Sequence, residues 1–226
     1  MPRLIIGYTM AEDQLLKKDL LGEIRLITAD GGAHIVRDSS VASGWIRWLA
    51  RRMLQREARA LAVMSDMAGV PKLLKAGQDR LSRSYLAGLP MHIAKPNNPA
   101  YFKKAAKLLR RLHRNDIVHN DLAKEPNFLV LEDGSPGLLD FQLAWFAPRR
   151  GRLFRLLAYD DLRHLLKHKR SYCPDELTTR ELAILSNPSL PSKLWMRTVK
   201  PTYMFVTRRL LHWSDREGAS DRGDQS

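Results

Sequence analysis

Asp121, Asn127 and Asp140 stand close together in the second half of the chain. Lys124 lies between the first two. Carboxylate and amide oxygens of this kind suit Mg²⁺, which lets water and phosphate complete its shell. They also suit phosphoryl transfer. That reaction needs a carboxylate to position the nucleophilic hydroxyl and oxygen ligands to hold the metal against the phosphates. It also needs a cation on the phosphates that is itself held by a carboxylate.

The elements around these residues can be read from pattern. Residues 22–40 predict a hairpin: 22–29 alternates apolar and polar residues, Asp30-Gly31-Gly32 supplies a turn, and 33–38 returns. Residues 45–66 predict a helix with Trp45, Leu49, Met53, Ala60 and Met64 on one stripe. Glu57 lies on that stripe, where a carboxylate needs a partner because an unpaired buried charge is costly. Arg47, Arg51, Arg52, Arg56 and Arg59 read as a solvated basic face.

Beyond Val70-Pro71, residues 72–77 and 80–86 predict two strands around a Gly-Gln-Asp turn. Residues 87–90 read as a connector, which places the domain boundary at residues 88–89. Asn98-Pro99 opens a second helix, with Asn as its cap. Its apolar stripe is Tyr101, Ala105, Leu108, Leu109 and Leu112. Lys103, Lys104, Lys107, Arg110, Arg111 and Arg114 cover the rest. Residues 128–131 and 137–139 predict another hairpin, and the pattern beyond 155 is helical. Thr178 with Glu181 matches a capping box. The polar tail, residues 214–226, is expected to be disordered. Strands with one helix, then mostly helices, give an α+β chain in two lobes. The expected division is 1–88, 89–213 and 214–226.

Ile117-Val118-His119-Asn120-Asp121-Leu122 resembles the H-R-D-L catalytic loop of the protein-kinase-like superfamily, with Asn120 in the Arg position. Asn127 follows and leads into an apolar strand. Leu138-Leu139-Asp140-Phe141-Gln142 resembles the D-F-G segment, with Gln142 in place of Gly. The resemblance covers about residues 20–170. It implies a two-lobed kinase-like fold with a small N-terminal sheet plus one helix, a mainly helical C-terminal lobe, and ATP and Mg²⁺ as cofactors. It further implies that Asp121 orients the acceptor hydroxyl, that Asn127 and Asp140 bind the metal, and that Lys124 reaches the transferred phosphate. Glu57 matches the helix carboxylate that pairs with a strand lysine, and Arg37 stands in the lysine position. Gly22 falls near the phosphate-covering loop, and Tyr85 and Leu86 at the hinge that meets adenine.

Three departures stand out. Five residues rather than four separate Asp121 from Asn127, Arg37 replaces the lysine, and no G-x-G-x-x-G is present. An ordinary exposed edge-strand residue is the bland reading of Arg37. Asp160 and Asp161 could anchor the catalytic loop or cap a helix, and capping is the favoured expectation. His164 and His168, spaced i, i+4, read as a solvated helix face rather than a zinc site.

The layout resembles small bacterial atypical kinases, including RIO-like kinases and lipopolysaccharide-core sugar kinases. A RIO-like protein serine/threonine kinase, a kinase for a lipid-linked core sugar at the inner membrane surface, and a nucleotide-binding pseudokinase all stay open. The resemblance implies an acceptor hydroxyl on a protein or a lipid-linked glycan. The net charge of +14 attracts polyanions or an anionic surface. A single cysteine, Cys173, excludes an internal disulfide and a cysteine-based zinc cluster. No apolar run approaches a membrane span, and the N-terminus lacks a signal-peptide core, so a cytoplasmic protein is expected, peripheral at the inner membrane if the sugar-kinase reading holds.

Overall fold

The computed structural model describes residues 12–29 and 32–187. The expected turn at Asp30-Gly31 and the tail at 214–226 lie outside the described residues. The chain divides into two compact units. One comprises Met1–Ala87 with Phe141–Leu143, and the other Gly88–Asp140 with Ala144–Ser226.

The first unit is an antiparallel sheet carrying one helix. Its strands are β1 (Glu12–Asp19), β2 (Gly22–Ala29), β3 (Gly32–Asp38), β4 (Leu73–Ala76) and β5 (Arg80–Ser84), ordered β1-β2-β3-β5-β4. β3 is therefore the central strand, not an edge. Its helix α1 (Arg47–Val63) packs on β4 and β5 and on the 3₁₀ turn Phe141–Leu143. Ile35, Leu54, Leu61 and Leu81 are buried in this unit. Each such side chain contributes about 1.5–3 kcal/mol through lost apolar exposure.

The expected stripe holds in the second half of the helix and departs in the first. Trp45 is exposed and Leu49 and Met53 are only half-buried. The inward face is Ala50, Leu54, Glu57, Ala60, Leu61 and Met64, so Glu57, Ala60 and Met64 stand as expected while Ala50 and Leu54 replace the first residues of the stripe. Glu57 faces inward as expected, and its two arginine partners lie on the sheet. The bidentate pair from Arg51 to Asp79, at 2.6 and 3.0 Å, fixes the helix against the β4–β5 turn. Gly22 has φ +132°, and a Cβ there would come 2.1 Å from the Asp38 carbonyl oxygen. Glycine is thus required by backbone approach.

The second unit is mainly helical. It contains β6 (Gly88–Pro90), α2 (Met91–Ala94), α3 (Pro99–Arg114), β7 (Ile117–Val118), β8 (Phe128–Leu131), β9 (Pro136–Leu138), β10 (Trp145–Phe146), α4 (Arg152–Tyr172) and α5 (Thr179–Ser186). The expected connector at 87–90 is in part a strand, since β6 pairs antiparallel with β8. β8 and β9 form the expected hairpin. Asn98 caps α3 by accepting the Ala100 N–H, and the Thr178–Glu181 capping box closes on both sides. α3 buries Tyr101, Phe102, Ala105, Leu108, Leu109 and Leu112. The Tyr101 hydroxyl donates to the Leu129 carbonyl at 2.9 Å, which ties α3 to β8. α3 and α4 pack together and flank the segment that carries Asp121.

Candidate active site

His119, Asn120 and Asp121 follow β7. Their backbone is held from α4. Asp161 is buried within α4 and accepts the N–H of His119 at 2.8 Å and of Asn120 at 3.0 Å. Its Oδ2 also lies 3.1 Å from His113 Nε2 on α3. Asp161 is therefore not a helix cap. It sits mid-helix and anchors the loop, the alternative that helix-terminus reasoning passed over. One helical face continues the task, because residues at i, i+4, i+7 and i+11 line up. Below Asp161 come Leu165, then His168, then Tyr172. His168 Nε2 donates to the Leu122 carbonyl at 2.9 Å, and the Tyr172 hydroxyl donates to Glu125 at 2.6 Å. His168 is buried, not on a solvated face. His164 is half-buried, and burial lowers its pKa to about 4, so it is neutral.

The loop and Leu139, the residue before Asp140, are locked to each other inside this unit. His119 is fully buried, and its Nε2 donates to the Leu139 carbonyl at 2.8 Å. A carbonyl only accepts, so Nε2 carries the proton. The Leu139 N–H donates to the Asn127 carbonyl at 2.9 Å. The Asn127 side-chain amide donates to the Asp121 carbonyl at 2.8 Å and to Asp121 Oδ2 at 3.1 Å. The extra residue between Asp121 and Asn127 is absorbed by a 3₁₀ turn at Glu125–Asn127. Lys124 Nζ reaches Asp121 Oδ2 at 3.2 Å.

Electrostatics mark Asp121 as a strained charge. Burial raises its carboxyl above the ordinary value. The Lys124 ammonium pulls it back, and the nearby Asp140 carboxylate pushes it up. Asn120 and Asp140 both adopt left-handed backbone, with φ 64° and 61°. Asn tolerates this best, and Asp next, but such positions still cost energy and concentrate at functional sites.

These groups fit a divalent cation. With its amide nitrogen committed to Asp121, Asn127 offers its carbonyl oxygen as a ligand. Asp140 offers a carboxylate, and a bound cation would relieve its repulsion of Asp121. Among the described residues, no group of three or more His, Cys, Asp or Glu side chains forms a protein-only metal cage. A few protein oxygens completed by phosphate and water is the arrangement Mg²⁺ prefers.

The first unit carries the cation–carboxylate set. Arg37 Nε on β3 lies 3.5 Å from Glu57 Oε2, and Arg83 Nε on β5 lies 3.3 Å from Glu57 Oε1. Arg37 pairs in register with Leu81 and Arg83 with Ile35, so the two arginines are diagonal neighbours on one sheet face. All three charged residues are buried. Arg83 escaped the sequence reading because its role depends on strand register. Tyr85 is exposed and Leu86 half-buried at the end of this unit, where the Tyr85 N–H donates to the Ala33 carbonyl.

No family model matches the sequence, and no curated protein does. Solved structures do match. The Rio2 kinase from Chaetomium thermophilum is similar with a TM-score of 0.59 at 13% identity, over 76% of this chain and 60% of that one. The Rio2 kinase–ADP/Mg²⁺–phosphoaspartate complex from the same organism gives 0.56 at 14% identity, over 76% and 58%. This chain thus spans about 60% of their length. The chain has a protein-kinase-like fold, an α+β architecture with an N-terminal antiparallel sheet and a helical second part.

Proposed function

We propose that this chain is an ATP-dependent phosphotransferase that moves the γ-phosphate to a hydroxyl acceptor. The observation that supports it best is the Asp121–Asn127 pair tied through Leu139 to Asp140, with Asp161 holding the backbone. Asn127 and Asp140 would hold Mg²⁺, which when bound would neutralise phosphate charge. Asp121 accepts a hydrogen bond from the acceptor hydroxyl and takes its proton. The hydroxyl oxygen bonds to the γ-phosphorus as the bond to the leaving ADP oxygen breaks. Lys124 balances charge beside Asp121. In this reading residues 1–88 bind nucleotide, with Arg37 held by Glu57 as the phosphate-facing cation. Gly22, Tyr85 and Leu86 line the nucleotide, and residues 89–213 carry catalysis.

The acceptor we favour is a protein serine or threonine, in a RIO-like kinase. A lipid-linked core sugar is the second reading, favoured by the acid-free cationic face of α3, where Lys103, Lys104, Lys107, Arg110, Arg111 and Arg114 are all exposed. No helix among the described residues is long and apolar enough to cross a membrane. A cytoplasmic location fits either acceptor, with attachment at the inner membrane surface under the second. A pseudokinase would owe its inactivity to Arg37 and Gln142.

The test is transfer of label from γ-labelled ATP with Mg²⁺, offering protein extract and lipopolysaccharide separately. Label should enter one acceptor at or below the roughly 1–100 s⁻¹ usual for kinases and vanish in Asp121→Ala. ATP binding without transfer to acceptor, protein itself or water would establish the pseudokinase.

A further inference from the structure

The outward face of α1 is built differently from the basic surface of α3. Trp48, Arg52, Gln55, Arg56 and Arg59 follow helical spacing and form one exposed stripe. Trp45 extends it at the helix N-terminal end, and Val41 is exposed in the turn that precedes the helix. Trp45 is 65%, Trp48 66% and Val41 50% exposed, large values for such apolar side chains. From Ser39 to Arg56 the chain has no Asp or Glu. Arg51 is committed to Asp79, but among the described residues Arg52, Arg56 and Arg59 make no ion pair. Together with Gln55 they line a depression of about 230 Å³.

We propose that this face of α1 docks on an anionic phospholipid surface. Both halves of the stripe match a bilayer interface. Guanidinium forks bind phosphate headgroups bidentately. Indole rings belong at headgroup level, half in apolar surroundings and half in water. Binding of a helix lying in the interface scales with buried apolar area plus attraction to anionic lipid. A nucleic acid would use the arginines and could stack on the indoles, but exposed aliphatic surface such as Val41 gives it nothing. The exposed apolar side chains Val41, Trp45 and Trp48 therefore favour lipid. The inference does not depend on the phosphotransferase reading, since it uses no residue given a role there.

The experiment is cosedimentation of the purified full-length protein with phosphatidylcholine vesicles, with and without phosphatidylglycerol. The protein should bind only the anionic vesicles. Each basic residue near such a surface contributes about fivefold, so reversing Arg52, Arg56 and Arg59 to Glu should weaken partitioning by ~100-fold or more. Trp45→Phe with Trp48→Phe should reduce quenching of tryptophan emission by brominated lipid. A matched reversal on α3, Lys103, Lys107 and Arg110 to Glu, should cost far less. If the triple variant melts early, Arg56→Gln alone should still weaken binding about fivefold. Vesicle binding indifferent to the α1 variants, or equally sensitive to α3 reversal, would overturn the proposal. So would indifference to vesicles alongside tight binding of an RNA oligonucleotide through Arg52, Arg56 and Arg59.

Discussion

Asp161 holds the backbone of His119 from 42 residues away, through a 2.8 Å bond to its N–H. A second bond, at 3.0 Å, takes the Asn120 N–H. The carboxylate is buried in the middle of α4, so its charge is offset by donors aimed at it rather than by water.

Asp161→Ala should therefore destabilise the chain sharply. It leaves the N–H groups of His119 and Asn120 without their acceptor, at about 1–3 kcal/mol for the buried His119 group and less for Asn120. Asp161→Asn keeps one acceptor oxygen and should cost less. Thermal unfolding of both variants checks this, and equal melting temperatures would refute the anchoring role. Transfer activity should fall with the Asn variant even at temperatures where it stays folded.

Glu57 has two arginine partners, and this predicts non-additivity. Arg37→Ala leaves Arg83 on the carboxylate, and Arg83→Ala leaves Arg37. Removing both strands a buried charge, an event that costs about 3–5 kcal/mol. A double-mutant cycle read by chemical denaturation should show the double variant falling well below the sum of the singles. An additive result would mean that the arginines act independently of Glu57.

What the sequence showed and hid follows from the range of the interactions involved. The Asn98-Pro99 cap, the β8–β9 hairpin and the Thr178–Glu181 box are local, so a few adjacent residues specify them. β1 was missed because seven of its eight residues, all but Asp19, are exposed, and an edge strand without a buried face has no alternation to read. The departure at the start of α1 was missed because Trp45 looks like core material, whereas Ala50 and Leu54 are the residues that face inward there. Asp121, Asn127 and Asp140 were legible as a motif. Asp161 was legible as an anchor only as the less favoured of two alternatives, and the roles of His168 and Arg83 were not legible, since each works on a residue distant in sequence.

Asp121 should cost stability while serving function. Its carboxyl is raised in the folded state, chiefly by burial, so the folded chain holds that proton more tightly than the unfolded chain. Stability from this group is highest below the unfolded pKa and declines as pH climbs through the raised folded pKa. Asp121→Asn removes the decline. At neutral pH the variant should melt a few degrees higher, since about 1 kcal/mol shifts a chain of this size by ~2–4 °C. Its advantage should shrink as pH falls below the carboxylate range. A variant that melts lower at neutral pH would contradict the sign.

The most direct measurement of the central claim is calorimetric titration of ATP, with and without Mg²⁺, into wild type, Asp140→Ala and Asp121→Ala, paired with label transfer. Asp140 is assigned to the metal, so its Ala variant should lose Mg²⁺-dependent binding and all turnover. Asp121 is assigned to the hydroxyl, a role realised in the transition state. Its Ala variant should bind Mg²⁺–ATP nearly as wild type does while losing most transfer. Wild-type protein that does not bind ATP, or binds it equally well without Mg²⁺ and with Asp140 removed, would contradict the account.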